Sequence, residues 1–217
     1  MSSKTHIHTI YKLASGERVP SVTTILGVLA KPAIIHWAWE CGVKGLDYRK
    51  VRDEYGDTGT LVHARILCDL SETEFDTSDY SPTELSASEH SFSLFQDWKS
   101  KHKVVPKLLE TPLVSEDYRY GGTIDFYGKV DGVYTLLDFK TSNAIYRENT
   151  YQLAAYMGLL NEKQVEEVRV LRFPRALDEG LEDRMIEGLD SGFRVFLSCL
   201  DIYRASKESN KVERHSN

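Results

Sequence analysis

The sequence predicts an α+β protein with an α/β-type core: a mixed central β-sheet built round one β-hairpin, flanked by helices and preceded by a mainly helical N-terminal part. Three observations carry this reading. Apolar residues recur at helical spacing through much of 21–102. Strand-like alternation takes over between 104 and 140 and reverses at Asp131-Gly132. A helix, a fourth strand and a last amphipathic helix then follow. With 217 residues, 41% hydrophobic and 28% charged, the chain suits one domain over 1–217. Its parts are a mainly helical 1–105, a sheet and helix over 106–175, a C-terminal helix over 180–206 and a polar end, 207–217, expected to fray.

Taken in order, residues 5–20 alternate weakly around Ser15-Gly16, a short hairpin closed by Pro20. Ser21 to Ala30 reads as a short helix, and Pro32 opens another to about Val43. Its Trp37 and Trp39 are expected in the core rather than stacked on bases. A third helix is expected from Thr58 or Thr60, because His63, Ile66, Leu67 and Leu70 fall on one stripe. The polar stretch 71–82 is a loop, and Pro82 or Thr83 opens a long helix to about His102 on Leu85, Phe92, Phe95 and Trp98. After the strands, Asn149 caps a helix to about Leu160. Val165 to Phe173 is a strand stopped by Pro174, and a helix from Glu182 to Ala205 buries Met185, Leu189, Phe193, Phe196, Leu197 and Leu200.

Composition excludes several classes. No apolar run approaches the roughly 18 to 20 residues of a membrane span. Cys41, Cys68 and Cys199 stand apart without a CxxC pair, which argues against a disulfide framework or a structural zinc site, and three cysteines cannot hold a four-cysteine iron–sulfur cluster. The start carries no signal or transit pattern, and a cytoplasmic location, bacterial or in a phage-infected host, is the expectation. A net charge of −6 is the wrong sign for a protein that grips nucleic acid with its whole surface, so any such binding is local and salt-sensitive. Lys99, Lys101, Lys103 and Lys107 follow an acidic stretch and provide either a basic groove wall or a solvated helix end.

The chemistry concentrates around the hairpin. Pairing Val130 with Val133 across Asp131-Gly132 sets Phe126 opposite Leu137 and Asp125 opposite Asp138. Both aspartates and Lys140 then share one face, with Ile124, Phe126, Val130, Val133, Leu137 and Phe139 on the other. Opposed carboxylates repel. Two Asp oxygens converging from neighbouring strands suit a hard cation such as Mg²⁺ or Mn²⁺, with the Phe139 carbonyl as a further oxygen; a salt-bridged exposed face is the alternative. Gln152 and Tyr156, four apart, share a helix face away from Leu153 and Leu160. Thr141, Ser142, Tyr146 and Arg147 either hold phosphate oxygens or cap the loop. His6 and His8 alternate on a strand, an accidental surface pair or a metal site.

In content and order, Gly59-x-x-x-His63, Gly122-x-x-Asp125, Asp138-x-Lys140 and Gln152-x-x-x-Tyr156 resemble the RecB-like branch of the PD-(D/E)XK nuclease superfamily. Val19-Pro20-Ser21-Val22-Thr23-Thr24-Ile25-Leu26 and the segment ending in His63 resemble, more narrowly, the mitochondrial genome maintenance exonuclease group and its phage relatives. The resemblance spans residues 19–160. It implies a restriction-endonuclease-like PD-(D/E)XK fold with the catalytic site on the central hairpin. His63, Asp125, Asp138 and the Phe139 carbonyl would bind Mg²⁺ or Mn²⁺. Lys140, its pKa lowered by the metal beside it, would orient or activate water, and Gln152 and Tyr156 would line the site against the nucleic-acid backbone. Relatives often carry Glu after the motif His, where this chain has Ala64; Glu110 or Glu116 is the substitute, with Glu110 a candidate for a second metal or an outer carboxylate, or simply an exposed edge charge.

The leading expectation is a metal-dependent deoxyribonuclease, an exonuclease on single-stranded DNA or free ends, serving repair or recombination. Its partners would be DNA and a replication or recombination protein, with no membrane. The alternatives are a structure-selective flap endonuclease and a nucleic-acid-binding recombination accessory protein with a vestigial site. A Mg²⁺ enzyme acting on nucleotides lacks a Gly-rich phosphate loop.

Overall fold

The structure is a computed structural model that describes residues 9–161 and 164–215. The sequence-predicted hairpin sets its centre. Strands β4 (Tyr120–Val130) and β5 (Val133–Thr141) pair antiparallel, with Val130 opposite Val133 and Phe126 opposite Leu137. Asp131 and Gly132 take φ of 52° and 89°, the left-handed pair that a two-residue turn demands. β3 (Val104–Ser115) flanks β4 antiparallel. Helix α5 (Arg147–Leu160) crosses over from β5 to β6 (Glu167–Phe173), which pairs parallel with β5. β7 (Glu182–Met185) closes the five-stranded mixed sheet, in the order β3-β4-β5-β6-β7.

Both faces of the sheet are covered, which makes the protein α+β with two cores. On one face α3 (Tyr48–Leu70) contributes Val62, Ile66 and Leu70, and α4 (Pro82–Lys101) contributes Phe95 and Trp98, against Phe126, Val130, Leu137 and Phe139. On the other, α1 (Val22–Leu26), α5 and α6 (Leu189–His215) pack on Tyr127, Leu136, Val168 and Val170. Local chemistry explains the helix starts. Ser21 caps α1, and Ser81 with Glu84 forms a capping box ahead of Pro82. The small hairpin of β1 (Tyr11–Lys12) and β2 (Arg18–Val19) turns at Gly16 and leans on β4 through a hydrogen bond from the Gly121 N–H to the Pro20 carbonyl.

Several expectations are corrected. α3 begins ten residues early, because Asp47 caps it and Gly56 and Gly59 are carried within the helix instead of starting it. Gly59 has a packing reason: an added Cβ would lie 2.7 Å from Thr141 Oγ1, so its bare backbone lets α3 ride on the end of β5. α2 (Pro32–Val43) forms as predicted, but Trp39 is 63% exposed and is not a core residue. α5 starts at Arg147, with Asn149 accepting the Tyr146 N–H from inside its first turn. The predicted last helix is split: Glu182–Met185 alternates as an edge strand, tied to β6 by Arg172–Glu182 and Arg169–Asp183 ion pairs, and Met185 is half-exposed. Gly188 at φ 71° breaks the chain before α6, which continues to His215 through the stretch expected to fray. The helical spacing of Met185 with Leu189 concealed this break. Among the described residues no helix is long and apolar enough to cross a membrane. His6 and His8 lie outside the described residues.

Gly128 faces Pro106 across β3–β4, and an added Cβ would sit 2.3 Å from the Val105 carbonyl oxygen, a backbone atom with no freedom to yield. Gly128→Ala is therefore expected to destabilise the fold by about 2 kcal/mol. Urea unfolding measures this, and an unchanged midpoint would contradict the close approach.

Candidate active site

β4 and β5 part company at the candidate site. Their ladder ends at Phe126–Leu137, although β4 stays paired with β3, and β5 with β6, well beyond that point. Antiparallel alternation would next send the Phe139 N–H to the Ile124 carbonyl. Instead the Phe139 N–H donates to Asp125 Oδ2 at 2.9 Å, and the Phe139 carbonyl lies 2.9 Å from His63 Nε2. Two side chains thus take over the backbone groups that the missing ladder would leave buried and unpaired. β4 also changes face here: Ile124 packs in the α5 cluster and Phe126 in the α3–α4 cluster. Ile124 does not share the Phe126 face as alternation predicted, because the strand is kinked between them. Across β3, Glu110 stands level with Asp125 at φ 41°, a left-handed conformation unusual for a residue with a side chain.

The kink gathers three donors. Ligand atoms of His63, Glu110 and Asp125 lie within 4.8 Å of one another and could hold a metal ion. His63 Nδ1 is 3.7 Å from Glu110 Oε1 and 3.9 Å from Asp125 Oδ2. A carbonyl cannot donate, so the Phe139 contact puts a hydrogen on His63 Nε2 and, in the neutral ring, leaves the Nδ1 lone pair facing two carboxylates. The point demands positive charge. Burial pulls the His63 pKa down, yet Asp125 and Glu110 outweigh it and the net shift is upward.

Beside this cluster Asp138, 1% exposed, is bound by Lys140, whose Nζ lies 2.9 Å from Oδ1 and 2.7 Å from Oδ2. Oδ2 nevertheless receives no aligned hydrogen bond and is a buried acceptor with spare capacity. Burial pushes the Asp138 carboxyl up to about 6 against the pull of Lys140, and Asp125 adds to the rise. For Lys140, burial lowers the pKa, but Asp138 and Asp125 more than reverse this, so the lysine stays an ammonium. Without a metal the two carboxylates face one cation, and the lowering expected of Lys140 belongs to the metal-bound site. Glu110, Asp125 and Asp138 against Lys140 leave surplus negative charge, which is the condition a divalent cation meets.

Gln152 and Tyr156 do meet, with Gln152 Nε2 donating to the Tyr156 hydroxyl at 2.8 Å. Tyr156 is buried with Leu153 and Leu160 instead of standing apart from them. Its pKa is raised well above the ordinary value by burial and then by Asp138 and Asp125. Gly122 makes room for it: an added Cβ would lie 2.6 Å from Tyr156 Cε1. In the loop after β5, Ser142 Oγ donates to the Ala144 carbonyl, while Tyr146 and Arg147 are exposed and Thr141 is half-buried. The lysine-rich stretch stands elsewhere. Lys99 binds Asp69, the Lys103 N–H binds Asp131 at the hairpin turn, and Lys107 lies over the Tyr134 ring. That end of the sheet is remote from Asp125.

Three neighbours of the site carried no sequence signal. Tyr11 is hydrogen-bonded to Thr123 Oγ1 at 2.8 Å, its ring resting where a Gly121 side chain would go. Arg172, buried beside Lys140, holds Glu182, Glu179 and the Ser142 carbonyl. Arg175 stacks on Tyr55. All three depend on which remote segments meet.

Fold and site together define a mixed-sheet protein with a cluster of carboxylates, a histidine and a lysine, in which His63, Glu110 and Asp125 could hold a metal ion. No family model matches the chain, and no curated protein matches it. Among solved structures, 69% of the chain is similar to a candidate exonuclease from Eubacterium rectale, at 11% identity and a TM-score of 0.48. The chain covers 65% of that protein, slightly under two thirds of its length. A second likeness, to SSO0001, covers 68% of this chain and 74% of that one, at 13% identity and a TM-score of 0.34. Both are too distant to carry chemistry across.

The raised His63 pKa has a measurable consequence. Its proton stabilises the fold below the ordinary value of 6.5, and that contribution is lost as pH rises through the raised value. In metal-free buffer, NMR titration should place the His63 midpoint above 6.5 in the wild type and lower in Glu110→Gln. An identical midpoint in the two proteins would remove Glu110 from the cluster.

Proposed function

We propose that the chain is a Mg²⁺- or Mn²⁺-dependent deoxyribonuclease that hydrolyses phosphodiester bonds, acting as an exonuclease on single-stranded DNA or free ends. The observation that supports it best is the convergence of His63, Glu110 and Asp125 beside the buried Asp138–Lys140 pair, where β4 and β5 separate. The order of the motifs along the chain, Gly-x-x-x-His, Gly-x-x-Asp, Asp-x-Lys and Gln-x-x-x-Tyr, supports the same reading and the RecB-like assignment.

On this reading His63, Glu110 and Asp125 hold the cation, with Asp138 Oδ2 as a further oxygen. When bound, the cation neutralises phosphate charge and lowers the pKa of a water. The other roles belong to the chain. His63 gives its Nε2–H to the Phe139 carbonyl, which fixes the ring with Nδ1 toward the carboxylates. Asp138 orients the Lys140 ammonium, and the Lys140 side chain, still 23% exposed, serves as a donor for the developing negative charge. Gln152 is fixed by Tyr156, leaving its carbonyl oxygen and second N–H for substrate. The Tyr156 hydroxyl stays protonated and serves as a hydrogen-bond donor. Thr141, Tyr146 and Arg147 line the route by which a strand would enter.

End-labelled single- and double-stranded DNA, incubated with Mg²⁺, Mn²⁺ or EDTA and resolved on a gel, tests the reading. Wild type should degrade label only with metal, and Asp125→Asn and Lys140→Ala should each lose at least about 100-fold in rate. Product ladders from each end give the polarity. Cleavage confined to branched substrates would favour the flap endonuclease. DNA binding without cleavage of any substrate would favour the recombination accessory protein.

A further inference from the structure

We infer that Arg175, Tyr55 and Tyr146 form a subsite for single-stranded nucleic acid, in which Arg175 binds a phosphate next to the scissile one and the two tyrosines stack its bases. The inference rests on the nuclease reading and narrows its substrate, single strands or free ends, to the unpaired strand. The three residues come from separate elements that converge at the C-terminal end of β5. Tyr55, Gly59 and His63 are spaced by four on α3 and lie on one face of the helix. That face therefore runs from the candidate metal ligand, through the glycine pressed on Thr141, to Tyr55. Arg175 follows β6, and its guanidinium lies 3.9 Å from the Tyr55 ring centroid. Its Nη2 donates to the Thr141 carbonyl at 3.3 Å, one residue from Lys140. Tyr146 precedes α5, and its phenol is close enough to act electrostatically on Arg175.

Charge singles out Arg175. Its neighbour Arg172 is fully engaged, with Glu179, Glu182 and two loop carbonyls, and holds the loop in place. Arg175 makes no ion pair among the described residues, and its electrostatic neighbours are the two tyrosines. A guanidinium stacked on an aromatic ring, with free donors and no carboxylate, is matched to a phosphate. Tyr55 is 40% exposed and Tyr146 50% exposed, so both offer ring surface to a ligand. Base faces are available for stacking only when the strand is unpaired, since a duplex presents phosphates and edges. An acidic chain needs such a local positive point to engage DNA at all.

The test is fluorescence anisotropy of a labelled oligothymidylate and of a duplex of equal length with the full chain in EDTA, where binding is read without cleavage. Arg175→Ala should weaken single-strand binding about fivefold or more and flatten the salt slope by about 0.7, the loss of one phosphate contact. Arg175→Lys should keep the slope. Tyr146→Ala should weaken the single strand and leave the duplex unchanged. A role limited to bracing the Thr141 carbonyl would lower the melting temperature without changing the slope, and that result overturns the subsite. So does unchanged affinity in Arg175→Ala, or a wild type that binds no single strand. Metal-dependent cleavage by the wild type in the gel assay, with Arg175→Ala unaltered in affinity, would leave the nuclease standing without this subsite; absence of cleavage with the Arg175 effect intact would do the reverse.

Discussion

The backbone of Phe139 is the point on which the candidate site depends. A strand that leaves its partner inside a protein exposes an N–H and a carbonyl that must find other bonds. Here Asp125 accepts the N–H and His63 meets the carbonyl, so the opening of the sheet and the placing of two candidate site residues are one event. The wedge stays open because each strand keeps its outer partner: β4 remains on β3 and β5 on β6. The Glu110 backbone, held at positive φ opposite the kink, turns its carboxylate into the same wedge. Backbone strain of this kind, at a residue whose side chain joins a charged cluster, is a common mark of a working site.

The charge arrangement costs stability at the same place. Three carboxylates surround one lysine and one histidine, and burial raises the pKa of Asp138 while the carboxylates raise those of His63 and Lys140. Grouping ionised side chains this way costs desolvation that their pairing only partly offsets. Hydrophobic packing on both faces of the sheet supplies what the site does not. Phe95, Phe126, Phe139 and Phe173 close one face, and Tyr120, Ile124, Leu136 and Phe196 the other. The site occupies the seam between these two cores.

The glycines of the motifs serve packing and leave the chemistry to their neighbours. Gly59 admits the end of β5 to α3, and Gly122 admits the Tyr156 ring to β4. Each of these two motifs thus pairs a candidate site residue with a glycine, and the glycine sets the distance at which two elements meet. Gly121 does the same for Tyr11, which brings the N-terminal hairpin to the edge of the site.

Much of this was legible in the chain itself. The Asp131-Gly132 turn determined the hairpin, because only a left-handed pair closes a two-residue loop, and the turn in turn set Phe126 opposite Leu137. Local capping and periodicity located most helices, and motif spacing singled out His63, Asp125, Asp138, Lys140, Gln152 and Tyr156. What failed locally failed for tertiary reasons. Gly56 and Gly59 look like breaks until α3 is seen pressed on Thr141, and Glu182–Met185 looks helical until β6 offers it an edge to pair with. Trp39 looks like core because burial cannot be read from an apolar residue without its surroundings. Strict alternation placed Ile124 beside Phe126, whereas the opening of β4 from β5 sends them to opposite cores. The meeting of Glu110 with His63, and of Arg175 with Tyr55, joins segments far apart in the chain, and such a meeting is decided only when the sheet and the helices on both its faces pack together.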